Sequence, residues 1–227
     1  MTRRIRQFLA LVIVVAATWP AAAQEKKPPA KPGWVSDPRT GCKLWAPNPN
    51  PQEMISWSGA CTNGLVQGSG FLQWFFNGAP NGNYEGDTLD GKFHGRGVMT
   101  FLSGSRYDGE WRDGLQNGHG VLVDANGNRY DGEWRNGRRS GWGTFTWASG
   151  SRYEGGWLDD VREGVGVFEW SGGRRHDGAW RGERAHGPGL YTDANGQSFL
   201  GTWTNGCARF ANAQIALGTT AEDCRLR

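Results

Sequence analysis

A ring-bearing residue recurs every 23 residues along the later two thirds of this 227-residue chain, at Tyr84, Tyr107, Tyr130, Tyr153, His176 and Phe199. Glycine follows each of them by two positions. Tryptophan follows that glycine by two more in every unit except the first, which has Thr88. A regular period of this length indicates that each unit is one supersecondary element, which buries its apolar surface against its neighbours.

Alternation within the unit predicts its local structure. In Tyr-x-Gly-x-Trp the rings and the glycine share one face of a strand, and the charged residues between them share the other. A second strand follows a G-x-G pair, and Asn126-Gly127 and Asn195-Gly196 are typical turn sequences between units. The sequence therefore predicts an all-β fold, an elongated single-layer antiparallel meander of stacked β-hairpins.

The unit resembles a known repeat. The segments Tyr107-Asp-Gly-Glu-Trp-Arg-Asp-Gly and Tyr130-Asp-Gly-Glu-Trp-Arg-Asn-Gly are similar to the MORN repeat. Five full units span residues 84–198, a half unit follows to Gly206, and a degenerate first unit begins at Trp57. Asp160 and Glu183 depart from the pattern, because each replaces an expected glycine. The MORN family contains scaffolds, membrane-apposition proteins and accessory modules of enzymes, so the resemblance implies a scaffold or interaction role.

The first 23 residues have the pattern of a secretory signal peptide. Arg3, Arg4 and Arg6 precede an apolar run from residue 8 to residue 17, and Ala21-Ala22-Ala23 offers a small-residue cleavage site. The alternative is a retained anchor, but the apolar run is much shorter than the ~20 residues of a membrane span. We expect cleavage before Gln24 and an exported bacterial protein, periplasmic or extracellular.

Net charge argues against a nucleic-acid partner. The chain has 25 Lys and Arg against 22 Asp and Glu, and three of the arginines lie in the predicted signal peptide. The remainder is neutral, whereas nucleic-acid binding needs a basic surface. We therefore expect no nucleic acid among the partners.

Four cysteines flank the repeats. In an exported chain they predict two disulfides, and of the three formal connectivities we favour Cys42–Cys61 and Cys207–Cys224, which close short loops at the two ends. The predicted organisation is a signal peptide (1–23), a Pro-rich flexible tether (24–41), an N-terminal cap with the degenerate first repeat (42–83), the MORN repeats (84–206) and a C-terminal cap (207–227).

Motifs for catalysis or metal binding were sought and not found. The sequence has no nucleophile elbow, no Walker motif and no metal-ligand spacing of cysteine or histidine. Carboxylate clusters such as Asp87 with Asp90 are typical of solvated hairpin loops. We expect no enzyme activity, no cofactor and no metal.

Candidate binding residues fall into two groups. Trp142, Trp147 and Trp170 exceed what the repeat requires and predict an aromatic patch, with gap filling between hairpins as the alternative. Arg138 and Arg139 form a local basic cluster. It lies beside rows of arginine and acidic side chains, one of each per repeat, whose charges neutralise one another. We therefore expect a non-enzymatic envelope scaffold that binds a protein partner or associates as a homodimer. The alternative is a module that binds phospholipid head groups or cell-wall glycan.

Overall fold

The computed structural model of the protein describes residues 32–210 and 213–225. The predicted signal peptide and residues 24–31 of the predicted tether lie outside the described residues. Within the described ranges, no helix combines the length and apolar character needed to cross a bilayer.

The described chain is almost entirely strand. The elements are β1 (Gly33–Ser36), β2 (Lys43–Ala46), β3 (Glu53–Trp57), β4 (Ala60–Thr62), β5 (Leu65–Phe76), β6 (Ala79–Leu89), β7 (Lys92–Phe101), β8 (Arg106–Arg112), β9 (Leu115–Val123), β10 (Arg129–Arg135), β11 (Arg138–Thr146), β12 (Arg152–Leu158), β13 (Val161–Glu169), β14 (Arg175–Arg181), β15 (Arg184–Thr192), β16 (Ser198–Trp203), β17 (Cys207–Phe210), β18 (Ala213–Ala216) and α1 (Ala221–Arg225).

One long sheet organises these strands. Sixteen of them form a single sheet in which β5 to β16 follow one another in sequence order, and β17 pairs with β18 in a separate hairpin. Pairing is antiparallel except for a short parallel bridge between β2 and β5. The prediction of an all-β sheet of stacked hairpins is confirmed.

Tyrosine rings explain why glycine recurs in pairs. Tyr107 lies over Gly109 and Gly120, which face each other across β8 and β9, and its ring occupies the space that a Cβ on either would need. Its hydroxyl donates to the carbonyl of Glu110 at 3.0 Å. Burial raises the pKa of Tyr107 above its usual range. Glycine at these positions therefore serves close ring packing.

The rings form a continuous ladder along one face. Tyr107 meets Trp111 of its own repeat and Trp134 of the next in edge-on contacts, with ring centroids 5.0 and 5.3 Å apart. The indole nitrogen of Trp134 donates to the carbonyl of Gly120 at 3.0 Å. Because Tyr107, and likewise Tyr130, joins the tryptophan of its own repeat to that of the next, the core is a sum of nearest-neighbour contacts. We call this side of the sheet the aromatic face and its reverse the polar face.

Both ends of the ladder have a substitute ring. Trp57 covers Gly59 and Gly70 at the start, and Phe210 of β17 lies against Gly201 at the end. Disulfides join Cys42 to Cys61 and Cys207 to Cys224. Each bridge therefore ties a terminal segment beside the ring that ends the ladder.

The described part of the Pro-rich segment differs from the predicted flexible tether. Residues 33–36 form β1 and pair with β2. Asp37 is buried and accepts hydrogen bonds from the amide of Trp57 at 3.0 Å and from the guanidinium of Arg39. Burial alone would raise the pKa of Asp37, but these hydrogen bonds outweigh it and lower the pKa to about 2. Residues 33–41 are thus part of the fold, because their backbone and one carboxylate have partners in it.

Candidate functional site

The three candidate tryptophans lie on two different faces. Trp147 and Trp170 are on the aromatic face, where each packs on Phe168, with ring centroids 5.0 and 4.3 Å away. Trp142 immediately precedes Gly143, which belongs to the aromatic face, so strand alternation places Trp142 on the polar face. It is 48% exposed there. The structure therefore does not bring the three rings into one patch.

Arg139 forms an ion pair with Asp160, one of the two residues that replace an expected glycine of the repeat. Its guanidinium lies 4.5 Å from the ring centre of Trp157 and 3.0 Å from a carboxylate oxygen of Asp160. Arg162 repeats the arrangement with Trp180 and Glu183, at 4.6 and 2.7 Å. Asp160 and Glu183 are the residues that replace an expected glycine. In both repeats the substitution is thus matched by an arginine in the repeat before it.

Arg138 is an exposed residue at the start of β11. Alternation points its side chain to the face opposite that of Arg139, so the two do not form one basic site.

Two cavities open on the aromatic face. The first, of about 370 Å³, is lined by residues that include Glu53, Trp74, Asn81, Met99, Phe101, Trp111 and Gln116. The second, of about 510 Å³, is lined by Leu122, Asp124, Asn128, Tyr130, Trp134, Arg139, Phe145 and Asp160. Sequence reasoning did not identify either, because the first joins residues of β3 to residues of β9.

The polar face neutralises its own charge along most of its length. Arg106 pairs with Asp108 at 2.8 Å, and Arg129 pairs with Asp131 at 2.7 Å. Arg152 with Glu154 and Arg175 with Asp177 continue the series. Exposed pairs of this kind each contribute only ~0–1 kcal/mol to stability. Their main consequence here is a surface without a basic stripe.

Exposed apolar side chains occur on the C-terminal half of the polar face, beside its ion pairs. Trp142, Val165, Leu190 and Leu200 are 48, 63, 36 and 79% exposed there, and we call them the polar-face patch. In the N-terminal half the row of Trp142 and Val165 carries charged or ionisable residues, Arg96, Glu110, His119 and Glu133. The row of Leu190 and Leu200 carries Val98, Asp108, Val121 and Asp131 in that half. Small residues, Gly156 and Ala179, lie opposite Trp142 and Val165 in the patch. Comparing the repeats position by position would have revealed this change from charged to apolar.

His176 is a buried titratable group whose pKa is strongly lowered by its surroundings. It takes the place of a tyrosine in the ladder, is fully buried, and neither ring nitrogen has a hydrogen-bond partner within the described part of the chain. Burial lowers its pKa to about 4, against a smaller opposing effect of Asp177. No group of three or more metal-ligating side chains occurs among the described residues. A neutral, enclosed imidazole of this kind packs the core.

The 23-residue units of this chain match a known protein family. The MORN repeat model matches five consecutive segments, residues 84–106, 107–129, 130–152, 153–175 and 176–198, which together make up just over half of the chain. The chain belongs to the MORN-repeat family. No curated protein matches it as a relative. MORN repeats are generally binding or scaffold modules rather than catalytic ones, which agrees with a molecule built of two extended faces.

Proposed function

We propose that this MORN-repeat protein is a non-enzymatic scaffold of the bacterial cell envelope, which is exported and binds a protein partner. The two disulfides support the exported location, because disulfides persist in oxidising compartments. The signal-peptide pattern of residues 1–23 points the same way.

The observation that carries the protein-binding part is the polar-face patch. Isolated exposed apolar side chains are ordinary, but several of them on the neighbouring strands β11 to β16 of an otherwise charged face support an interaction surface. Trp142 supplies a large aromatic anchor of the type that dominates binding energy at interfaces. Charged rows beside the patch supply a polar rim.

Site-specific photo-crosslinking tests the patch. A photo-reactive amino acid replaces Val165 in the full chain, expressed in its native envelope. The matched control carries the same amino acid in place of Arg96, which occupies the same position of an earlier repeat in the charged half. We expect a covalent adduct with another envelope protein from position 165 and none from position 96.

The outcomes of this experiment separate the alternatives. An adduct with a second copy of the chain would assign the patch to a homodimer. Equal yields from both positions, or no adduct from position 165, would contradict the proposal. Amino-terminal sequencing of the protein recovered from the envelope tests export independently, with Gln24 expected as the first residue.

Phospholipid binding through Arg138 and Arg139 is the weaker alternative. Arg139 is already paired with Asp160, and the two arginines lie on different faces. Salt-sensitive co-sedimentation with anionic liposomes, lost when both arginines are replaced, would favour the lipid over the protein.

A further inference from the structure

We propose that the two cavities of the aromatic face form one groove that binds a neutral β-1,4-linked oligosaccharide. This inference goes beyond the proposed function, because it concerns the face opposite the polar-face patch. It would give the scaffold a glycan anchor on one side and a protein surface on the other.

The second cavity corresponds to the first, one repeat further along the chain. Met99, Trp111 and Gln116 of the first cavity correspond to Leu122, Trp134 and Arg139 of the second, each 23 residues further along the chain. Two strands separate equivalent residues, which puts the cavities about 10 Å apart. This is about the length of a β-1,4-linked disaccharide, so a chain with a two-sugar repeat can present the same group to both cavities.

The groove ends at the next repeat for a defined reason. The residue 23 positions after Asp124 is Trp147, whose ring packs between Phe145 and Phe168, with centroids 4.5 and 5.0 Å away. Trp147 thus fills the place that Asp124 leaves open. The groove spans two sites, which suits a tetrasaccharide.

The charge of the lining excludes an anionic ligand. Among the described residues that line the first cavity, Glu53 is the one charged side chain. In the second cavity Arg139 is neutralised by Asp160 at 3.0 Å, and Asp124 adds a negative charge. A phosphate or sulfate would find no uncompensated cation, so a lipid head group does not fit.

The remaining lining chemistry matches a sugar ring. Trp74 and Phe101 in the first cavity and Phe145 in the second are incompletely buried, and Phe101 is 40% exposed. Flat aromatic faces pack against the C–H faces of pyranose rings, and side-chain amides and carboxylates hydrogen-bond to their hydroxyls. Asn81 and Gln116 provide those groups in the first cavity. In the second, Asp124 and Asn128 hydrogen-bond to each other in the turn, and the Oδ2 of Asp124 and the second N–H of the Asn128 amide have capacity for one more hydrogen bond each.

The chain itself offers a blocking variant and a matched control that loses the same pair of side-chain hydrogen bonds with the turn amides. Asp124→Trp introduces at the second cavity the residue that fills the third position. Asp124 and Trp147 begin the same turn, since the amide of each donates to the carbonyl four residues on at 2.9 Å. Asp193→Trp makes the same change in an identical turn outside the groove and is the matched control.

The experiment titrates the full mature chain with cellotetraose, chitotetraose and the corresponding disaccharides, by calorimetry and tryptophan fluorescence. We expect a tetrasaccharide to bind about ten-fold more tightly than its disaccharide, since it engages both cavities. Asp124→Trp should remove that ten-fold advantage, and Asp193→Trp should keep it. Binding of either tetrasaccharide supports the groove, and the preferred one identifies the glycan source.

Three results would overturn the inference. They are no binding of either sugar, equal affinity for the disaccharide and the tetrasaccharide, or the same loss in both tryptophan variants. Because the crosslinking position lies on the opposite face, failure here leaves the test of the polar-face patch unaffected.

Discussion

At the scale of single residues, His176 shows what happens when the ladder loses a hydroxyl. In the other repeats the tyrosine hydroxyl donates to a carbonyl, as Tyr130 does to Glu133 at 3.0 Å. His176 keeps the edge-on ring contacts, with Trp203 at 4.9 Å. Among the residues that the structure describes, neither its ring nitrogens nor the indole nitrogen of Trp203 has a hydrogen-bond partner. Buried polar atoms without partners cost stability, so this is a weak point of the core.

We expect His176 to make the fold acid-sensitive. Its pKa is about 4 in the folded chain and 6.5 as its reference value, so the unfolded chain takes up the proton first. Stability is therefore complete above pH 6.5 and falls as the pH drops towards 4, by up to about 3 kcal/mol.

Denaturant unfolding of the wild type and of His176→Tyr at pH 7 and pH 4 measures this effect. Tyrosine restores the ladder hydroxyl and does not titrate in this range, so the variant should be more stable at both values and by a larger margin at pH 4. If the difference in stability between the two proteins does not change with pH, His176 is not the source of the acid sensitivity, since the carboxylates titrate equally in both proteins.

At the scale of the hairpin, the Arg139–Asp160 pair offsets an unfavourable backbone. Asp160 has a φ of 73°, in the left-handed region that favours glycine. In the preceding repeat, the equivalent positions are Gln116 and Gly137, joined by the same backbone hydrogen bond, at 2.9 Å. Across the repeats, an acid at the second position of this junction accompanies an arginine at the first. Glycine at the second position accompanies an uncharged residue, Phe93, Gln116 or Ala185.

A double-mutant cycle tests this coupling. Arg139→Gln alone should lower the free energy of unfolding by about 1–2 kcal/mol. It removes the cation–ring contact and the guanidinium partner of Asp160, and leaves that carboxylate with the backbone amide of residue 139 in a strained conformation. Adding Asp160→Gly should recover about half of the loss, since glycine adopts this φ freely. Denaturant midpoints of the two single variants and the double variant give the coupling energy, and strict additivity would show that the pair is not a unit.

At the scale of the whole molecule, stability is distributed along a row of neighbours. Each hairpin contacts only the adjacent ones, so the ends of the sheet lack a partner on one side. At the C-terminal end Phe210 packs on Phe199 and Trp203, with ring centroids 5.2 and 6.2 Å away, and the Cys207–Cys224 bridge closes the segment that carries it. We infer that this segment acts as a cap.

Replacing Cys207 and Cys224 by serine should loosen one end of the molecule. The bridge contributes roughly 3 kcal/mol in the chain-entropy model. Hydrogen exchange should rise in β15 and β16, while β8 and β9 keep their protection because they contact other neighbours. The Cys42→Ser/Cys61→Ser variant should instead raise exchange in β5 and β6, and β15 and β16 should keep their protection. A uniform rise along the sheet would contradict nearest-neighbour stabilisation.

Much of the molecule could be predicted from the sequence because its order is local. The period of 23 residues defined the hairpins, and period-two alternation defined which residues face the ring ladder. Counted from Gly143, the same alternation places Trp142 on the opposite face, although the prediction of an aromatic patch grouped it with Trp147 and Trp170. Because strands that are adjacent in sequence pair with each other, the hairpins form a single sheet. The local cysteine pairing also followed from the position of the repeats between the two pairs.

Only the tertiary structure decided where the aromatic face of the sheet has cavities. The first cavity exists because residues such as Glu53 and Trp74 line the same space as Trp111 and Gln116 of another repeat, and no local pattern encodes this arrangement. Trp147 closes the groove because its ring reaches Phe168 of the following hairpin. The sequence determined the repeat and its faces, since backbone geometry depends on adjacent residues. Packing between distant side chains determined which positions are filled and which can receive a ligand.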